Sequence, residues 1–402
     1  MRTFLSRVHY LPVLAILLVG LFACSSGDTG RLSLSLTDKP NNDVKAVFVT
    51  IKEIAVHAES DLEGSWTTVL TVNKTFNLTE LGGGVRENLG IVNLDPGHYT
   101  QMRLLIGTDA ISPHPFANYV VGQDDVPHEM RVPSGVQTGI KLVQGFDINE
   151  NSTTELTFDF DAARSVVVAG NSDKFILKPT IHAIDDSQVR TVIKGTVKTE
   201  GGDPIAGAEV SLQTFDNAAA DARDKVVVVR SMTTDATGAY GIFFSVPQMT
   251  TFNIVATDWP STDPNYGFDW DQAPDAVDGQ SFTRDLVLPV VAEDGTLALK
   301  AIVADSDTTK NTEPETVVTI SIRKVSDLPG TPPPDVEVME VNLVGYDDEH
   351  TLDEITAIEV KLPPGDYKVV ASTEGRPSIE TPITIATGSN PLSFSFPVPP
   401  AP

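Results

Sequence analysis

The sequence predicts an all-β protein: tandem Ig-like β-sandwich domains behind a cleaved signal peptide. Three observations predict it. Leu32, Leu34 and Leu36 alternate with Ser33, Ser35 and Thr37, the period-two pattern of a half-buried strand. Similar runs rich in Val, Thr, Ile and Phe recur along the chain between Gly, Pro, Asn and Asp, and long helical periodicity is absent, as expected of sandwiches joined by tight turns. The one long apolar run, Leu11 to Phe22, lies at the N-terminus behind Arg2 and Arg7; at about a dozen residues it suits a signal segment better than a membrane span of ~20.

That run ends in Leu21-Phe22-Ala23-Cys24, and Cys24 is the only cysteine in the chain. The tetrapeptide resembles the lipobox of bacterial lipoproteins, with Phe22 bulkier than usual at its position. The resemblance implies cleavage after residue 23 and a lipidated Cys24 that partners a membrane, since several acyl chains anchor stably where one is marginal. Ser25 and Ser26 follow without the Asp that favours inner-membrane retention, so the expected location is the cell envelope, and the outer membrane if the source has two. A single cysteine also excludes an internal disulfide.

At 402 residues the chain exceeds one core, and ~150 residues per domain leads us to expect three units after the leader. A signal peptide (1–23) and tether (24–30) precede a first β domain (31–186), a second (192–291) and a third (294–397). The first holds strand patterns at Ala46–His57, Trp66–Val72, Gln101–Ile106, Thr154–Phe160 and Ser165–Val168. The second opens at Lys194-Gly195-Thr196-Val197 and turns at Thr234-Asp235-Ala236-Thr237-Gly238-Ala239-Tyr240. The third opens on Gly295-Thr296-Leu297-Ala298-Leu299, echoing Gly30-Arg31-Leu32-Ser33-Leu34, and its Leu362-Pro363-Pro364-Gly365-Asp366-Tyr367 echoes Leu94-Asp95-Pro96-Gly97-His98-Tyr99. Each Tyr is expected to pack its ring inward and reach a backbone group with its hydroxyl. Asp327 to Val336, rich in Pro, reads as an exposed loop.

Residues Gly30 to about Ile184 resemble the lipoprotein family named domain of unknown function 4382. The likeness rests on Gly30-Arg31-Leu32-Ser33-Leu34-Ser35-Leu36-Thr37-Asp38-Lys39-Pro40, Val47-Phe48-Val49-Thr50-Ile51, the Leu94 to Arg103 stretch, Pro133 to Lys141, and Phe158 to Val166. It implies an exported β domain with no established activity. The second unit resembles carboxypeptidase regulatory-like domains through its Gly-x-Val opening, Gly207-Ala208-Glu209-Val210 and the Thr234–Tyr240 turn. This resemblance implies a transthyretin-like sandwich, whose wider fold superfamily includes starch-binding modules; such turn glycines and core aliphatics speak for fold rather than function.

The chain carries 28 Lys plus Arg against 55 Asp plus Glu, a net charge of −27, which excludes nucleic acid as a partner because phosphate backbones need a basic footprint. Its seven histidines form no H-E-x-x-H pair and no G-x-S-x-G elbow occurs, so zinc and serine hydrolases have no motif to start from. Asp159 and Asp161 lie two apart on a predicted strand, with Phe158 and Phe160 facing the core; solvent-facing acids are the expected reading, since a glycosidase needs an opposed carboxyl.

The stretch Asp258 to Gly279 gathers Trp259, Tyr266, Phe268 and Trp270 among aspartates. Three readings of it stay open. It is a loop whose aromatics fold back on the sandwich; or a calcium loop with Asp263, Asn265, Asp269 and Asp271 as oxygen ligands, although its spacing departs from an EF-hand; or a sugar platform using Trp259, Tyr266 and Trp270. The functional expectation is a membrane-anchored cell-envelope lipoprotein with a non-enzymatic binding or structural role, partnering a glycan or envelope protein. A carbohydrate-binding accessory lipoprotein is the first alternative, and a hydrolase of unrecognised family the second.

Overall fold

Among the described residues the strands form six sheets, two in each of three successive stretches. The structure, a computed structural model, describes residues 29–39, 44–62, 65–82, 85–133, 139–142, 145–168, 175–186, 191–244, 250–258, 265–276, 279–303, 316–330, 333–345, 353–354 and 358–397. The predicted leader and Cys24 lie outside them. Strands dominate, as the alternating pattern predicts.

In the first unit, β1 (Gly30–Lys39), β2 (Ala46–Ala58), β3 (Thr67–Asn77), β4 (Glu87–Leu94) and β5 (Gly97–Ile106) are followed by the shorter β6 (Tyr119–Val121), β7 (Pro127–Arg131), β8 (Ile140–Leu142) and β9 (Phe146–Ile148). Then come β10 (Thr153–Asp161), β11 (Val166–Val168), β12 (Phe175–Leu177) and β13 (Ile181–Asp185). One sheet runs β13-β10-β1-β4; the other runs β11-β12-β7-β6-β2-β5-β8, with β3 on β2 and β9 on β5. Leu32, Leu34 and Leu36 of β1 are fully buried, as are Val47 and Val49 of β2 and Phe158 and Phe160 of β10, so the predicted alternation delivers the core.

The second unit comprises β14 (Thr191–Thr199), β15 (Glu209–Phe215), β16 (Val226–Thr233), β17 (Ala239–Phe244), β18 (Thr250–Thr257), β19 (Phe268–Ala276), β20 (Ser281–Thr283) and β21 (Leu286–Leu288). The third comprises β22 (Gly295–Val303), β23 (Thr316–Val325), β24 (Asp335–Gly345), β25 (Asp353–Glu354), β26 (Ile358–Leu362), β27 (Gly365–Ser372), β28 (Ile379–Ile385) and β29 (Gly388–Phe396).

One strand plan recurs three times. The opening strand (β1, β14, β22) pairs antiparallel with β4, β17 or β26 and parallel with a closing strand, β10, β20 with β21, or β29. The next strand (β2, β15, β23) pairs antiparallel with β3, β16 or β24 on one side and β5, β18 or β27 on the other. Between the first and third units the likeness reaches single residues. Gly30 lies opposite Leu94 and Gly295 opposite Leu362; Gly97 lies opposite Ile148 and Gly365 opposite Ile385. A Cβ on Gly30 would meet the Asn149 carbonyl at 2.4 Å and the Ile148 side chain at 2.5 Å; one on Gly295 would meet the Ala386 carbonyl at 2.2 Å and the Ile385 side chain at 2.5 Å. Both strands therefore open on the one residue that allows this approach.

The tyrosine echo has the same meaning in both units. Tyr99 and Tyr367 are buried, and their hydroxyls donate to the carbonyls of Asp95 at 3.0 Å and Pro363 at 2.7 Å, pinning the crossing from one sheet to the other. Burial raises the pKa of both phenols, so they stay neutral donors.

Four sequence expectations differ from the structure. Ser165 ends a one-turn helix, Ala162–Ser165, rather than opening a strand: Asp161 Oδ1 accepts from the Arg164 amide and Asp38 Oδ1 from the Ala162 amide, and these caps satisfy the first turn. Asp159 and Asp161 do not face solvent; both are buried, because the second unit covers their side of β10. Asp258–Gly279 is not all loop, since β19 pairs with β18 from Thr257↔Phe268 to Thr250↔Ala276. Asp327–Val336 is not an exposed loop throughout: Leu328 is buried, and Asp335 and Val336 are buried at the start of β24.

Tyr99→Phe and Tyr367→Phe each remove one hydroxyl-to-carbonyl bond and should lower the unfolding free energy by about 1 kcal/mol. Gly295→Ala should lower it by about 1–3 kcal/mol through overpacking. Urea midpoints would measure all three, and an unchanged midpoint in Gly295→Ala would contradict the close approach.

Candidate functional site

The predicted aromatic and acidic loop resolves into separate pieces. Trp259 and Asp263 lie outside the described residues. Asn265 accepts from the Val291 amide through its backbone carbonyl at 2.9 Å. Tyr266 forms a bridge with Val290 and packs on the second unit's core. Asp269 and Asp271 share one face of β19, but each carboxylate has protein partners. Asp269 accepts from the amides of Val287 at 2.7 Å and Trp270 at 2.9 Å, while Asp271 meets the Arg284 guanidinium at 3.1 Å. Burial pushes the pKa of Asp269 up against the lowering effect of those amides. Among the described residues no group of three or more His, Cys, Asp or Glu is placed to hold a metal ion.

Trp270 turns toward the third unit. Its indole N–H donates to Asp327 at 2.7 Å, and its ring packs with Phe268 and Val255 against the third unit's core. Phe268 meets Tyr367 edge to face at 6.4 Å. Trp270 is therefore engaged by the chain itself through its indole N–H and one side of its ring.

The strongest concentration of polar chemistry lies where the three units converge, on residues the sequence does not single out. Arg164, presented by the capped turn after β10, reaches Glu337 at 3.0 Å and Glu340 at 3.5 Å in the third unit, and Glu209 at 3.5 Å in the second. Lys178 of the first unit meets Glu340 at 3.2 Å and Asn342 at 3.1 Å. Glu337 also accepts from Ser321 at 2.6 Å, and Arg323 donates to Ser321 at 2.8 Å. Around this centre the side-chain amide of Gln213 pairs with the backbone of Glu337, donating at 2.7 Å and accepting at 2.8 Å, as a strand would.

The flanks carry the same bonding outward. Arg230 of the second unit clasps Asp159 at 2.8 and 3.0 Å, and Ser231 donates to Asp161 at 2.9 Å. The His182 ring meets the Val228 carbonyl at 3.1 Å. Arg323 donates to the carbonyls of Ala222 at 2.7 Å and Arg223 at 3.1 Å, while Asp221 accepts from the Ser378 amide and hydroxyl.

At these groups the cost of burying charge competes with the attraction of opposite charges. Burial works against the charge of Arg164, but Glu337, Glu209, Glu340 and Asp161 outweigh it and raise its pKa. Glu340 is likewise pushed up by burial and pulled further down by Lys178 and Arg164, so it ends below the usual range. Glu337, the most enclosed, is pushed upward by burial despite Arg164. Burial lowers His182 and keeps its ring neutral. The arrangement pairs charges and satisfies donors; it presents neither two opposed carboxyls across an open cleft nor a nucleophile beside a base, as hydrolysis requires.

The fold and this junction define a tandem β-sandwich protein whose units share one strand plan. Residues 29–179 match the family described as Domain of unknown function (DUF4382). No curated protein matches the chain. Among solved structures the chain is similar to the Bacillus anthracis TIE protein, with 14% identity and a TM-score of 0.19 over 92% of this chain and 50% of that one; it thus spans about half of that protein's length. It is similar also to a Streptococcal ancillary pilin, with 11% identity and a TM-score of 0.21 over 90% of this chain and 98% of that one. A third likeness is to GBS52, the minor pilin of Streptococcus agalactiae, with 15% identity and a TM-score of 0.19 over 53% and 98% of the two chains.

Arg164→Ala leaves buried carboxylates without their main partner and should cost about 3–5 kcal/mol, whereas removing both charges in Arg164→Met with Glu337→Met should cost much less. Equal losses in urea unfolding would contradict the pairing. His182, with a folded pKa below its unfolded value of about 6.5, binds its proton more readily when unfolded, so stability should fall as pH drops from 7 toward 5. His182→Gln should flatten that part of the melting-temperature profile, and an unchanged slope would refute the assignment.

Proposed function

We propose that this chain is a membrane-anchored cell-envelope lipoprotein whose three sandwich units serve as one rigid, non-enzymatic body, holding its far end away from the membrane. The observation that carries the reading is the junction at Arg164, where one largely enclosed guanidinium reaches carboxylates of all three units. A protein whose task was independent binding by each unit would have no need to bury charge between them, because such burial is costly unless every partner is in place.

The residues behind the family resemblances also serve folding. Thr234, in the turn by which the second unit resembles carboxypeptidase regulatory-like domains, donates to the Ile205 carbonyl at 2.7 Å and accepts from the Ala208 amide at 3.0 Å. Asp235 accepts from Thr237 and Ala239 in the same turn. The anchor rests on Leu21-Phe22-Ala23-Cys24 and on the signal-like run before it.

Metabolic labelling with palmitate tests the anchor. The intact chain should take up label and partition with membranes, and Cys24→Ala should do neither. Label retained by Cys24→Ala, or absent from the intact chain, would overturn this reading.

A further inference from the structure

The first unit carries a second unusual group of charges, remote from the Arg164 junction. Arg103 on β5 and Lys141 on β8 are directly opposite in antiparallel register, a like-charge pairing that costs stability unless something compensates it. Both side chains converge on Trp66: the Arg103 guanidinium carbon stands 4.1 Å from the ring centroid and the Lys141 ammonium 5.9 Å. The His57 ring approaches Trp66 at 5.8 Å. In a chain of net charge −27, neither cation has a carboxylate within ion-pair distance among the described residues. The Nε of Arg103 is closed off from solvent with no hydrogen-bond partner.

The surroundings fix this side chain in place. A Cβ on Gly139, whose φ is +98°, would meet Arg103 Cγ at 2.5 Å and Cδ at 2.7 Å, so the backbone passes against the arginine stem only because glycine is there. A guanidinium stacked on an indole uses its π face for the ring and leaves N–H edges free for in-plane acceptors. Lys141 is exposed and adds a point charge from the neighbouring strand.

We propose that Arg103, Lys141 and Trp66 form a binding site for an oxyanion, a carboxylate, sulfate or phosphate group that takes a charge-assisted bond from each cation while Trp66 holds the guanidinium in position. The site is independent of the membrane anchor and of the junction between units.

Calorimetric titration of the soluble chain at low ionic strength, with sodium sulfate, sodium phosphate and sodium acetate in separate runs, tests the assignment. At least one anion should bind saturably at one site, and the preferred one identifies the source of the group. Arg103→Gln with Lys141→Gln should weaken that binding about tenfold or more. Lys74→Gln, whose ammonium is already paired with Glu87, should leave it unchanged. If the double variant does not fold, Lys141→Gln alone, at an exposed position, decides by weakening binding. Failure of all three anions to saturate, equal affinity in the variants lacking these cations, or an equal loss in Lys74→Gln would each overturn the site.

Discussion

The ion pair between Arg164 and Glu337 is the constraint on which the arrangement of this molecule depends. Either group alone would be too costly to bury, and together they require carboxylates, hydroxyls and amides from every neighbouring element to satisfy the remaining positions. Ser321 bonds the Glu337 carboxylate, Glu340 and Glu209 take up the Arg164 guanidinium, Lys178 pairs with Glu340, and Gln213 holds the Glu337 backbone. The geometry is demanding, so the units have few alternative ways to dock. Apolar contact alone, such as Phe268 and Trp270 against the third unit, is less directional; the polar centre supplies the direction.

A repeated strand plan makes this junction possible. In each unit a later strand runs parallel to the opening one, β10 in the first, β20 with β21 in the second and β29 in the third, so each sandwich packs its own core and can present the outer face of a sheet to its neighbours. β24 shows the consequence. Val336 and Val338 face the third unit's interior, while Asp335 and Glu337, on the alternate positions, are buried as well. Asp335 is held by Lys368 at 2.8 Å and Glu337 by the junction. β10 does the same in the first unit, with Phe158 and Phe160 inward and Asp159 and Asp161 beneath the second unit.

Much of the fold is legible in the sequence because period-two alternation reports one buried face directly. Leu32, Leu34 and Leu36 were readable on that basis, as were the paired tyrosine turns, whose Pro and Gly announce the crossing between sheets. What alternation cannot report is whether the polar face is covered by another part of the chain. Asp159 and Asp161 therefore read as solvent-facing acids, and the sequence does not single out Glu337 or Arg323, although all four are buried. β19 escaped for a related reason: its aspartates suggest a loop, yet Asp269 and Asp271 find an amide and a guanidinium beside the strand. The clue available was charge at alternate positions of strands whose other positions are strongly apolar, as in Ile320-Ser321-Ile322-Arg323 and Val336-Glu337-Val338.

The central claim is that the three sandwiches are one cooperative body rather than beads on a string. Differential scanning calorimetry of the soluble chain tests it most directly. The account predicts a single transition near neutral pH, with the calorimetric and van't Hoff enthalpies equal. Two or three separable transitions, each with the enthalpy of one sandwich, would contradict it.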